Sequence, residues 1–91
     1  MDILKEARQQ INEIDAEMAE LFVRRMRAVE TVAEYKRANG LPILDAAREA
    51  SLINNNAQRI EDETLRAYYV SFLQRTIELS REYQKELLKK N

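Results

Sequence analysis

What most constrains this chain is how little interrupts it. One glycine and one proline occur in ninety-one residues, and they stand together in Asn39-Gly40-Leu41-Pro42-Ile43-Leu44-Asp45. A glycine stops a helix by adopting a left-handed conformation, and a proline two residues later prevents its resumption. Before that break, residues 3 to 38 carry Leu4, Ile11, Ile14, Met18, Leu21 and Phe22 at helical spacing, with good helix formers between them. The pattern predicts one very long helix with an apolar stripe. After the break, Asp45 suits an N-cap, and residues 46 to 60 read as a short helix through Ala50, Ile53, Ala57 and Ile60, weakened at its end by a run of asparagines. From about Thr64, Leu65, Tyr68, Tyr69, Phe72, Leu73, Ile77, Tyr83 and Leu87 mark a third, long helix running almost to the C-terminus. No strand and no internal repeat is indicated, so an all-α fold of three helices in a single domain over residues 1 to 91 is expected.

Helix length bears on assembly. Some 35 helical residues would span roughly 50 Å, whereas a compact chain of this size has a radius of gyration of only about 12 Å. Two shorter helices cannot cover such a stripe along its full length, and a second copy is the economical cover. An intertwined helical homodimer is therefore expected. An elongated coiled coil is the rival, but its heptad row would be broken at Arg8, Asp15, Arg25 and Lys36.

Two of those breaks carry chemistry. Arg25 takes the step between Met18 and Val32 on the apolar stripe, and Lys36 continues the row of Phe22 and Val29. Separated by eleven residues, they project within roughly 20° of each other and about 16 Å apart along the axis. Two long cationic side chains at that spacing can converge on one small ligand. Arg8 lies some 25 Å from Arg25 and is rotated by about 100°, so a straight helix cannot bring it to the same pocket. If it contacts that ligand, the donor is the partner chain.

Composition limits what such a pocket can do. The net charge is -1, so no general field draws the chain to nucleic acid or an anionic membrane, and an anion must be held by a local cluster. With no cysteine and no histidine, thiolate nucleophiles, the usual zinc ligands and the commonest general base are missing. No metal site and no cofactor are expected. The first residues lack an apolar signal region and no run is long and apolar enough to span a bilayer, so a soluble cytoplasmic protein is the default expectation.

Further polar residues fall on inward faces. Thr76, Ser80 and Gln84 follow an i, i+4 row on the third helix, and Asp45, Arg48 and Glu49 group a cation and carboxylates at the start of the second. Each has a plainer reading. Arg25 and Lys36 taken singly are what snorkelling side chains at a core edge look like, and Arg8 alone reads as surface. Asp45 is a sufficient N-cap. Arg48 can pair with an acid of its own turn, Glu49 can complement the helix dipole, Ser80 can bond back to the preceding turn, and Gln84 can be solvated. The conjunction is what argues for a site.

In this order, Arg8, "RRM" with Arg25, "AEYK" ending at Lys36, "GLPILDAARE", and finally Ser80 and Gln84, the chain resembles the all-helical chorismate mutases of the AroQ class. The resemblance covers nearly the whole chain. It implies a dimer formed through the long first helix, with two sites that each draw one arginine from the other subunit. It also implies the substrate chorismate and its Claisen rearrangement to prephenate in phenylalanine and tyrosine biosynthesis, a reaction that needs no nucleophile or redox group. By carry-over, Arg25 and the partner's Arg8 would hold the two carboxylates, and Lys36 and Gln84 would meet the charge growing on the ether oxygen. Glu49 would accept from the ring hydroxyl, Arg48 and Ser80 would support carboxylate binding, and Asp45 would hold the helix end that closes over the ligand.

One position departs from that pattern. The residue after Ser80, often apolar and near the ligand in such enzymes, is Arg81. Isochorismate pyruvate-lyase, which shares the fold and cation pattern, is the nearest enzymatic alternative, and a non-catalytic dimerisation module is the alternative from another class. With only a short connector between the second and third helices, no effector site is expected.

Overall fold

The computed structural model of the chain describes residues 2–89, which form three helices and, among the described residues, no strand: α1 (Ile3–Ala38), α2 (Ala46–Ala57) and α3 (Glu63–Lys89). The long first helix has the bounds its pattern predicts. It opens at Asp2, whose carboxylate accepts from the Lys5 N–H at 3.1 Å, and it ends with Lys36 and Arg37 in the last turn, where cations complement the helix dipole.

Its C-terminus is closed by the backbone. Gly40 has φ 63°, the Gly40 N–H donates to the Arg37 carbonyl at 3.4 Å and the Leu41 N–H to the Lys36 carbonyl at 2.8 Å. This is the paired capping arrangement that satisfies the last free carbonyls, and it needs the left-handed residue at its centre. A Cβ added at Gly40 would meet nothing within 4 Å, so alanine there strains the backbone without a clash. Gly40→Ala should therefore cost about 1 kcal/mol, lowering Tm by roughly 4–8 °C. A thermal melt followed by circular dichroism checks this, and an unchanged Tm would rule out the left-handed cap.

The second helix is shorter than the 46 to 60 expected. It stops at Ala57, after Asn54-Asn55-Asn56, because asparagines are poor helix formers that favour local side-chain bonds. The Asn56 amide donates to the Leu52 carbonyl at 2.8 Å, and the chain leaves through tight turns, Arg59 N–H to Asn56 carbonyl at 3.0 Å and Ile60 N–H to Ala57 carbonyl at 3.1 Å. Asp62 then caps α3, accepting from the Thr64 and Leu65 N–H groups at 2.9 and 3.2 Å. Arg66 reaches back from α3 to the Ile60 and Glu61 carbonyls at 2.8 and 3.2 Å, fixing the connector.

Helix α3 packs on both α1 and α2. The small core consists of Val29 and Ala33 from α1 with Leu73 and Ile77 from α3. Outside it, the Tyr83 hydroxyl donates to Glu30, which also pairs with Arg27, so a polar tether joins α3 to the outer side of α1. These bonds, from Tyr83 first and Arg27 next, hold the Glu30 carboxyl below its ordinary value.

The N-terminal part of α1 extends beyond this core. The described chain measures 58 × 28 × 14 Å with a radius of gyration of 16.6 Å, well above the roughly 12 Å of a compact chain this long. Every described residue up to Arg24 is exposed. The stripe that its spacing marks as core is therefore uncovered within one chain: Ile11 is 54%, Ile14 53% and Leu21 55% exposed. Phe72 on α3 is exposed beside it, and together with Met18, Leu21 and Phe22 it lines one apolar groove. Exposed apolar surface on this scale is uncommon on soluble monomers. Among the described residues no helix is long and apolar enough to cross a membrane.

Candidate active site

The cap on α1 organises the site. By turning the chain sharply after Lys36, it returns the following loop across the helix end, so that the Ile43 carbonyl accepts from the Lys36 ammonium at 2.6 Å. From α3, the Gln84 Oε1 accepts from the same ammonium at 3.2 Å. That contact assigns the amide's orientation, since an oxygen engaged by a cation leaves the NH2 group to donate elsewhere. Gln84 is buried, at 6% exposure, which removes the reading of it as a solvated residue.

Three turns earlier on α1, the Arg25 guanidinium donates through Nη1 to the Ser80 hydroxyl oxygen. Ser80 is also buried, and its own hydroxyl donates back to the Thr76 carbonyl at 3.0 Å. The back-bonding expected of a mid-helix serine thus occurs, and it turns the oxygen lone pairs towards Arg25. The remaining guanidinium donors are left for another partner.

The third side of the site is the start of α2. Asp45 is its N-cap, accepting from the Arg48 N–H at 3.0 Å. Glu49 forms an ion pair with Arg81 of α3, Oε2 to Nε 2.9 Å. The carboxylate lies beside the guanidinium rather than in line with its Nε–H, so the contact is an ion pair and leaves that buried N–H without a hydrogen-bond partner.

These groups share one cleft of about 520 Å³. Its polar walls are Arg25, Lys36, Asp45, Arg48, Glu49, Ser80, Arg81 and Gln84, and its apolar lining includes Val29, Val32, Leu52, Leu73 and Ile77. Seven of the eight residues singled out from sequence are brought together. Arg8 is not: it lies on the exposed N-terminal part of α1, in a separate concavity with Asp2, Lys5 and Asn12. Arg27 is solvated surface, paired with Glu30.

The charge balance is one-sided. Four cations face the cleft against two carboxylates. Among the described residues Arg25, Lys36 and Arg48 have no carboxylate within ion-pair distance. The pKa of Arg25 is lowered by burial first and by the neighbouring charge of Arg48 next, with Tyr69 acting in the opposite sense. A cation that is partly desolvated beside a like charge gains most from an anionic partner.

Two contributors were not legible from the pattern. Ile43 acts through its backbone carbonyl, which no side-chain signal announces. Arg81 stands out in the sequence only as a departure, and its pairing with Glu49 depends on how α2 lies against α3.

A helical cleft in which, among the described residues, three cations have no carboxylate partner, with an oriented amide, a capped helix end and no thiol or imidazole in the chain, has the geometry and charge suited to a small polyanion. The chain belongs to the chorismate mutase type II family, whose profile matches residues 7–85. The chain is also similar to the T-protein of Haemophilus influenzae, with 36% identity over 63 residues. That segment covers 69% of this chain but 16% of the T-protein. No solved structure gives a significant match.

Proposed function

We propose that this protein is a chorismate mutase, an isomerase that converts chorismate to prephenate in the cytoplasm as a step towards phenylalanine and tyrosine. The observation that carries the reading, within this family, is the Lys36–Gln84 pair at the head of a cationic cleft. In the rearrangement one C–O bond breaks and one C–C bond forms within the same molecule, so no proton or leaving group is exchanged with the protein. What the protein must supply is a folded substrate conformer and a field for the charge that develops on the ether oxygen.

The residues divide accordingly. Arg25, oriented by Ser80, grips one carboxylate of the dianion, and Arg48 supports it. Lys36 and the free NH2 of Gln84 face the ether oxygen, where their interaction strengthens as the bond lengthens. Glu49 accepts from the ring hydroxyl and Asp45 holds the helix end over the ligand. The second carboxylate is met by Arg8 of the partner subunit in a homodimer. The exposed stripe of α1 is the surface that such a dimer would bury.

Incubating the purified protein with chorismate and, separately, with isochorismate tests the reading directly. Prephenate from chorismate is the expected product. Pyruvate from isochorismate, with no prephenate from chorismate, would replace the assignment by the lyase of the same fold, and no product from either would leave a non-catalytic module. The amide role has its own test. Gln84→Glu must be protonated to donate, so its kcat should rise as pH falls, with at least a roughly tenfold loss at neutral pH against its acid plateau. A pH-rate profile matching wild type would remove Gln84 from the site.

A further inference from the structure

The cleft contains a contradiction that the proposed chemistry does not resolve by itself. Glu49 is a carboxylate, its side chain only 22% exposed, on the wall of a site that is read as taking a dianion. Facing a dicarboxylate, an uncompensated glutamate would repel it. The titratable groups that share the cleft with Glu49 are Asp45 and Arg48 at the start of α2, Arg25 and Lys36 from α1, and Tyr69 and Arg81 from α3. Among the described residues, Arg81 is the one cation that makes an ion pair with it, at 2.9 Å.

We propose that Arg81 is a positioning residue that sets the substrate specificity of the cleft through Glu49, adapting it to a dicarboxylate that carries a neutral hydroxyl. This rests on the reading of the cleft as a chorismate site. The guanidinium lies against Oε2, cancelling the charge that the ligand would otherwise meet, while Oε1 remains able to accept one hydrogen bond. Such a glutamate recognises a hydroxyl without rejecting the dianion that bears it. Arg81 follows Ser80 directly and precedes Gln84 by three residues, so the same stretch of α3 orients Arg25, compensates Glu49 and engages Lys36.

A double-mutant cycle separates this role from simple pinning of α2 on α3. Wild-type turnover of chorismate is measured first; its absence would overturn the reading of the cleft and the inference with it. Given turnover, Arg81→Leu should raise KM roughly tenfold while changing kcat by less than about threefold, and Arg81→Lys should keep most of the wild-type KM. Glu49→Gln keeps a carbonyl acceptor and removes the charge. The double variant Arg81→Leu/Glu49→Gln should therefore return to within about twofold of the KM of Glu49→Gln alone. Defects that multiply in the double variant, or a KM for Arg81→Leu within about twofold of wild type, would overturn the role of Arg81 while leaving the chorismate mutase reading intact. If circular dichroism shows that Arg81→Leu loses helicity, Arg81→Gln, which keeps polarity and drops the charge, takes its place in the cycle with the same outcomes.

Discussion

Replacing Lys36 with alanine should lower kcat by roughly 10²–10³-fold with a much smaller change in KM and little change in Tm. The ammonium is held from two sides, by the Ile43 carbonyl at 2.6 Å and the Gln84 Oε1 at 3.2 Å, so its position is set before any ligand arrives. A charge fixed in advance needs no reorganisation when the ether oxygen becomes negative, which is why its loss falls on the transition state more than on binding. Stability is little affected because Ile43 lies in a partly exposed loop, where water can take over its carbonyl. Alanine also removes the cation that orients the Gln84 amide, so the two residues should prove non-additive. Steady-state kinetics of prephenate formation check the prediction, and unchanged turnover in the variant would dispose of the mechanism.

Arg25→Leu should separate activity from stability even more sharply. Loss of a carboxylate fork should reduce kcat/KM by roughly 10²–10³-fold. The same substitution should leave Tm unchanged or raise it. Burial and then the charge of Arg48 lower the Arg25 pKa, and a base whose folded pKa is depressed has a charged form that opposes folding. That penalty is present in full at any pH below the depressed value, and so throughout the physiological range. Leucine removes the charge and suits the apolar lining, while the Ser80 hydroxyl keeps its bond to the Thr76 carbonyl. A module without a ligand would show the stability effect and have no activity to lose.

The same variant tests the shared site. Mixed with Arg8→Ala under conditions that allow subunits to exchange, it should restore activity. In a heterodimer one site keeps both arginines and the other has neither, so an equimolar mixture should recover roughly a quarter of wild-type activity. A mixture as inactive as its components, with exchange verified, would mean that each site is built from a single chain.

How much of this was legible in advance depends on which contacts are local. The bounds of α1 follow from a glycine that can adopt φ 63° and a proline that cannot continue a helix, both properties of single residues. The relation of Arg25 to Lys36 follows from helical periodicity, and both do line one cleft. Apolar spacing overruns the end of α2 by three residues, because the Asn56 bond to Leu52 and the turns at Arg59 and Ile60 are a local competition that such spacing does not register. The stripe of α1 reads as core in sequence yet is exposed in the single chain, since spacing reports that a face is apolar and not what covers it.

The sequence by itself therefore determined the helices, their order and the faces on which unusual cations stand, because these depend on a repeat of 3.6 residues and on caps a few residues long. Tertiary structure decided which polar atoms meet. Lys36 with Gln84, Arg25 with Ser80 and Glu49 with Arg81 are 48, 55 and 32 positions apart in the chain. Their contacts depend on how closely α3 approaches α1 and α2, and on the loop that carries Ile43 back over Lys36. Such distances are set by side-chain packing between helices rather than by the periodicity within one, and a shift of about an ångström decides whether a hydrogen bond exists.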